Sequence, residues 1–156
     1  MPTITALLHT NNDALRLGRA LEMLFPCDHL LIVDHASTDA TAEVAREYGA
    51  RVVPAKRAVS YSDMVASDWI LSIDPHESVT EALTASLFEW KSEHIPPAVG
   101  AFSVFRREET VDGWIQNPAA HTRLVRTGWS RWQGHFPASE PSAIALEGDL
   151  LHFIFP

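Results

Sequence analysis

The sequence predicts an α/β fold: a three-layer sandwich around a central, mostly parallel sheet, with a strand-rich C-terminal half. Three observations predict it. Short apolar runs at residues 4–8, 30–33 and 69–73 alternate with segments whose apolar residues recur at helical spacing. Two of these runs break abruptly into acids, imidazoles and hydroxyls, as Leu30-Leu31-Ile32-Val33-Asp34-His35-Ala36-Ser37-Thr38-Asp39 and Trp69-Ile70-Leu71-Ser72-Ile73-Asp74-Pro75-His76-Glu77. Beyond residue 96 the pattern changes to strand-like pieces with no strong helix between them. Strands separated by helices of this length pair in parallel through right-handed crossovers.

Taken in order, Ile4-Thr5-Ala6-Leu7-Leu8 reads as a buried strand. Asn12 or Asp13 can cap the next helix, on which Leu17, Leu21, Leu24 and Phe25 recur before Pro26 stops it. Residues 30–33 are the second strand, followed by a helix from about Thr38 to Tyr48 that ends at Gly49, suited to the left-handed terminating position. Arg51-Val52-Val53 begins a third strand and residues 69–73 form a fourth. Ser78-Val79-Thr80-Glu81 has the spacing of a capping box and opens a helix carrying Ala82, Leu83, Leu87 and Trp90. After the break at Ile95-Pro96-Pro97, residues 101–105, 121–125 and 146–155 read as strands separated by long polar loops. The order through the first half is β-α-β-α-β-β-α.

Composition excludes several classes. At 156 residues the chain fits one domain; its 46% hydrophobic and 21% charged residues are those of a globular protein, not a disordered or fibrous one. No stretch approaches the length of a bilayer-spanning helix. His9-Thr10-Asn11-Asn12 interrupts the first apolar run, so no secretory signal is expected and cytoplasmic placement is the default. The lone Cys27 agrees with a reducing compartment. A net charge of -8 and the lack of a basic run argue against nucleic acid as a partner. An anionic ligand would need local help from helix-start amides, arginines or a divalent cation. The 8 histidines include no pair at helical i, i+4 spacing, and a single cysteine cannot build a thiolate site, so zinc is not indicated.

In an open α/β sheet, ligands collect outside the carboxyl ends of the strands, so the clusters around Asp34 and Asp74 are expected to converge on one crevice. Simpler roles compete with this. Ser37, Thr38 and Asp39 suit the first turn of the following helix, and Asp74 and Glu77 suit a turn before the capping box.

These motifs together resemble the family 2 glycosyltransferases with the GT-A fold, particularly the small bacterial branch related to lipopolysaccharide-core enzymes. His9-Thr10-Asn11-Asn12 stands where that family has Pro-Thr-Tyr-Asn, and Val33-Asp34-His35-Ala36-Ser37-Thr38-Asp39 where it has Val-Asp-(Asp or Ser)-Gly-Ser-Thr-Asp. Asp68-Trp69-Ile70-Leu71-Ser72-Ile73-Asp74-Pro75-His76-Glu77 is similar to Asp-Trp-Ile-Leu-x-Leu-Asp-Ala-Asp-Glu. Arg123-Leu124-Val125-Arg126 and Gly148-Asp149-Leu150-Leu151-His152 look like the Arg-Leu-Phe and Gly-x-Leu-Leu-His stretches of the branch.

The resemblance implies transfer of a sugar from a nucleotide-diphosphate donor, a UDP-sugar, to an acceptor hydroxyl with inversion, in cell-envelope polysaccharide synthesis. The acceptor implied is a saccharide or lipid-linked saccharide, and the location the cytoplasm or the periphery of the inner membrane. Residues 1–95 would be the nucleotide-sugar-binding half and residues 96–156 the acceptor-side half of one GT-A-like domain. Thr10, Asn11, Asp34, His35 and Asp74 would contact the nucleotide-sugar. Asp74 and His76 would hold Mn²⁺ or Mg²⁺ as a Lewis acid against the diphosphate. Glu140 is the first candidate for the base that deprotonates the acceptor and His135 the second. Trp114, Trp129 and Trp132 are candidates for stacking on a sugar ring, with core packing expected for at least two of them. Arg106, Arg107, Arg123 and Arg126 are candidates for phosphate, against solvated strand edges as the plainer reading.

The chain also departs from the pattern. His76 replaces the second metal-binding aspartate, His35 stands where many relatives carry a uracil-facing aspartate, and Asn11 replaces a tyrosine. Residues 56–67 lack the family's Arg-Asn pair, and Asn117-Pro118-Ala119-Ala120-His121 lacks its early acid. The chain stops at Pro156, short of the C-terminal helices of longer relatives, so incomplete acceptor binding is expected. These departures define the alternative: a non-catalytic nucleotide-sugar-binding or regulatory module that keeps the fold.

Overall fold

In the computed structural model, which describes residues 1–57 and 59–156, the apolar runs become neighbouring strands. β1 (Ile4–Thr10), β2 (His29–Asp34), β3 (Arg51–Pro54) and β4 (Trp69–Ser72) pair in parallel in the order β3-β2-β1-β4. The chain continues through β5 (Glu77–Val79), β6 (Ala101–Thr110), β7 (Gly113–Arg126), β8 (Trp132–Gln133), β9 (Phe136–Pro137) and β10 (Ile144–His152). β7 joins the free edge of β4 in antiparallel fashion, and the sheet extends through β6 and β10 to β5, giving eight strands in the order β3-β2-β1-β4-β7-β6-β10-β5. Because β10 pairs in parallel with β6, four of the seven pairings are parallel. β8 and β9 form a separate small hairpin.

Three layers result. Side chains of α1 (Ala14–Leu21), α2 (Thr41–Glu47) and α3 (Glu81–Ser92), among them Leu17, Leu21, Ala45, Leu83, Leu87 and Trp90, pack with Ile4, Ala6, Leu8, Ile32 and Leu71 in the larger core. The opposite face of the sheet carries Leu7, Leu31, Val33, Ile70, Ala101 and Val125. It is covered by Tyr61 and Met64 of a 3-10 turn (Tyr61–Met64), by Val65, and by Trp129 and Trp132. Alternation along β1 separates the two sets, as period-2 side-chain direction requires.

Several elements differ from the sequence-based expectation. α1 ends at Leu21, and Phe25 is 60% exposed beside Phe88 instead of lying in the core. α2 begins at Thr41 rather than Thr38, because the Ser37 and Asp39 side chains accept from the Asn12 and Ala14 amides at the turn between β1 and α1. The cap of α3 is Thr80, whose Oγ1 accepts from Leu83 N at 3.2 Å, while Ser78 belongs to β5; pairing with β10 takes the expected capping residue into the sheet. The first polar loop of the second half is the distal part of the β6–β7 hairpin, half-buried along β6 and mostly exposed along β7, and so carries no alternation; the second holds β8 and β9. Among the described residues no helix is long and apolar enough to cross a membrane.

Candidate functional site

The ends of β1 and β2 are locked side by side. Thr10, 1% exposed, donates from Oγ1 to Asp34 Oδ1 at 2.7 Å; Ser37 donates to the same oxygen through Oγ at 2.5 Å and to Oδ2 through its backbone N–H at 3.1 Å. Asn12 closes the arrangement, donating its N–H to Ser37 Oγ and accepting from Thr38 N–H. Both turns use left-handed backbone, at Asn12 (φ 52°) and Ala36 (φ 54°). For alanine that conformation is unusual, and such strain tends to concentrate at functional loops. Burial opposes the charge on Asp34, but the bonds from Ser37 and Thr10 outweigh it and hold its carboxyl below the usual range. Asp34 therefore braces the rim, and Thr10, Asn11 and His35 form the lining.

Beyond β4, Asp74 N–H donates to Glu77 Oε1 at 2.8 Å, and Asp74 Oδ1 receives both the N–H and the Nδ1 of His76 at 2.8 Å. Glu77 is 0% exposed. Arg123 grips it with Nη1 at 2.6 Å from Oε1 and Nη2 at 2.8 Å from Oε2, and Arg106 adds Nη1 at 3.1 Å. Burial alone would raise the Glu77 carboxyl; the Arg123 charge and these bonds hold it down. Arg106 and Arg123 are thus committed to a protein carboxylate. Arg126 is spent on Val99 and Pro96 carbonyls and Arg107 faces Asp149, so all four arginines considered for phosphate have protein partners.

The two strand ends do share a crevice. A cavity of about 210 Å³ is lined by Thr10 and Asn11 from β1, His35 after β2, and Asp74, Pro75 and His76 after β4, with His9, Asp13 and His135. It adjoins a larger one of about 540 Å³, whose walls include Leu7, His9, His35, Lys56, Tyr61, Trp132 and His135. A third, of about 510 Å³, lies at the amino ends of β2 and β3, away from these residues.

Sequence reasoning missed a group of three imidazoles on the wall common to the first two cavities. His9 Nδ1 lies 2.9 Å from His35 Nε2, the His9 and His135 rings stack at 3.8 Å with 6° between their planes, and a ring nitrogen from each of the three lies within 4.8 Å of the others. Burial first, then the neighbouring imidazoles, push His9 down to about 3, and burial also lowers His135. The absence of a histidine pair at helical i, i+4 spacing gave no sign of this group, because its residues come from β1, the β2 loop and the β8–β9 turn.

Glu140 lines neither cavity of the crevice. Ser142 Oγ donates to its Oε1 at 2.7 Å and Arg131 pairs with Oε2; these bonds hold its carboxyl below the usual range. Trp132 reaches the larger cavity, Trp129 packs against the smaller core, and Trp114 meets Phe153 edge-on at 5.1 Å. The donor set of Asp74 and His76 fits a divalent cation in part. A carboxylate oxygen and an imidazole nitrogen 2.8 Å apart can both meet one ion at bonds of about 2.1 Å. A mixed oxygen and nitrogen pair suits Mn²⁺ better than Mg²⁺.

No family profile matches the chain. It is similar to curated proteins named uncharacterized glycosyltransferases: one from Rickettsia felis, 33% identical over 91 residues (53% of this chain, 32% of that protein), and one from Rickettsia bellii, 34% identical over 88 residues (51% and 30%). The chain spans about a third of the length of these relatives. Among solved structures it is similar to S. aureus TarS 1-349, with a TM-score of 0.57 and 13% identity over 81% of this chain and 48% of that one. It is also similar to glucosyl-3-phosphoglycerate synthase from Mycobacterium tuberculosis in complex with Mn²⁺, UDP-glucose and phosphoglyceric acid, with a TM-score of 0.52 and 20% identity over 68% and 44%. The fold is that of the GT-A glycosyltransferases.

Proposed function

We propose that the chain is a GT-A-like domain of a family 2 glycosyltransferase, seating a UDP-sugar in the crevice outside β1, β2 and β4 for inverting transfer to a saccharide or lipid-linked saccharide hydroxyl. The observation that carries this reading is the shared crevice, lined by Thr10, Asn11, His35 and Asp74 from three adjacent parallel strands. Thr10, Asn11 and His35 would meet base and ribose, with Asp34 holding Thr10 in place. Residues 1–95 would face the donor and residues 96–156 the acceptor. Asp74 and His76 would hold Mn²⁺, which neutralises the diphosphate leaving group when bound. His135 borders both cavities and is the better placed proton acceptor; Glu140 is tied to Arg131 and Ser142.

That last contact also favours a second reading, a nucleotide-sugar-binding module without turnover. Asp13 and Asp74 are the carboxylates lining the smaller cavity, and Asp13 is already taken by Arg16 and the Asn11 amide. Calorimetric titration with UDP, with and without Mn²⁺, tests the site. Mn²⁺ is expected to tighten UDP at least tenfold, or about 1.4 kcal/mol, and Asp74→Asn to remove that gain. UDP binding indifferent to both changes would discard the metal role, and no UDP binding would discard the donor site. Hydrolysis of UDP-sugar by the unaltered chain then separates turnover from binding alone.

A further inference from the structure

We propose that His9, His35 and His135 bind a single Zn²⁺ ion, with a ligand set distinct from the Asp74–His76 pair on the wall of the same small cavity. The observation is geometric: one ring nitrogen from each of three imidazoles, brought from three segments of the chain, lies within 4.8 Å of the other two. Among the described residues, none of the three forms an ion pair with a carboxylate. Three neutral imidazoles with a water in the fourth position are a coordination set that Zn²⁺ accepts, and that Mg²⁺ and Ca²⁺, which require oxygen, do not.

Tetrahedral bonds of about 2.0–2.1 Å place ligand nitrogens roughly 3.3 Å apart. The His9–His35 contact, at 2.9 Å, has to open by only a few tenths of an ångström, with the proton it shares moving to the other nitrogen of the donor ring so that both imidazoles stay neutral and present a lone pair. His135 makes the larger adjustment, because its ring lies flat on His9 and has to tilt. It can do so: it is exposed in the two-residue Gly134-His135 turn between β8 and β9, and Gly134 has a φ of 63°. The 540 Å³ cavity beside the cluster gives ion and water a way in, and Asp74, on the wall of the smaller cavity, places negative charge nearby. The site does not rest on the donor-binding reading. With zinc bound, His135 has no lone pair left for a proton, so zinc would oppose transfer.

The metal-stripped 156-residue chain titrated with Zn²⁺ against a competing chelator is expected to bind one equivalent. His35→Ala and His135→Ala should each weaken binding by more than the roughly 10–100-fold that loss of an outer partner costs. His76→Ala should change affinity less than threefold. Co²⁺ in place of Zn²⁺ should give the intense visible absorption of a four-coordinate ion, lost in His135→Ala. His135 is exposed, so its replacement leaves the core untouched. Failure of the unaltered protein to bind Zn²⁺ would refute the site, as would binding that survives both His35→Ala and His135→Ala or that vanishes with His76→Ala; the three rings would then be a hydrogen-bonded stack only. UDP and Mn²⁺ take no part in these titrations, so their outcome stands apart from that of the donor site.

Discussion

Four N–H donors converge on the Glu77 carboxylate: two from Arg123, one from Arg106 and the amide of Asp74. The bidentate Arg123 contact is the strong geometry for such a pair, and through the Asp74 amide the same carboxylate fixes the loop that ends at His76. Arg123 also lies 4.1 Å from the centre of the Phe136 ring, next to His135. A buried pair adds little over an apolar replacement of both partners, but removing one partner strands the other charge. Glu77→Gln keeps the shape and loses the charge, so it should cost about 3–5 kcal/mol in urea unfolding at neutral pH, with an unchanged slope. The folded carboxyl lies below its unfolded value, so its contribution is complete above about pH 4.3 and is lost as the pH falls through the folded value. The variant should therefore show a flatter decline in acid, and a loss below about 1 kcal/mol would mean the network stabilises nothing. The position of Asp74 at a strand end was legible in the sequence. The fate of Glu77 was not, because Arg123 lies 46 residues away and sequence spacing carries no record of the contact.

At the scale of elements, the join between α3 and β10 depends on Gly148. Its φ is 91°, and a Cβ there would stand 2.3 Å from Leu83 N and 2.6 Å from Leu83 Cα, which are helix backbone with no freedom to move aside. The register of β10 on β6 shifts between Ala145 and Asp149, and the displaced chain receives α3: Thr80 Oγ1 donates to Asp149 O and Ser86 Oγ to Glu147 O, both at 2.7 Å. Gly148→Ala should cost at least about 3 kcal/mol, since backbone strain and overlap add. Hydrogen exchange should show the α3 amides losing protection before those of β1 and β2; uniform protection would mean the helix shifts without penalty. The same join explains which elements could be read in advance. β1, β2 and β4 are apolar runs buried on both faces at their centres, a pattern that survives without knowledge of partners, while the edge strand β3 is exposed at both ends. The α3 cap was misplaced by two residues because β10, far along the chain, turns Ser78 into a strand residue and leaves Thr80 to cap.

For the molecule as a whole, one sheet passes through both halves of the chain. The change of pattern near residue 96 was visible in the sequence; the insertion of β10 between β6 and β5 was not, since it depends on pairings with no local signal. β4 is covered on its outer edge by β7, with Trp69 opposite Arg126, Ile70 opposite Val125 and Leu71 opposite Leu124. Trp69 and Trp90 meet at 5.0 Å, edge to face, and both pack on Phe102 of β6. Residues 1–95 alone would thus expose the edge of β4, uncover two tryptophans and leave Glu77 charged without either arginine. An open, apolar strand edge favours association over folding. The fragment is expected to lack native far-ultraviolet dichroism or to aggregate, and the full chain to unfold in urea with coincident tryptophan-fluorescence and dichroism transitions. A fragment that folds by itself, or two separated transitions in the full chain, would mean that the donor-side strands hold together without β7. The crevice at their ends would then owe its shape to the first half alone, apart from His135 on the β8–β9 turn.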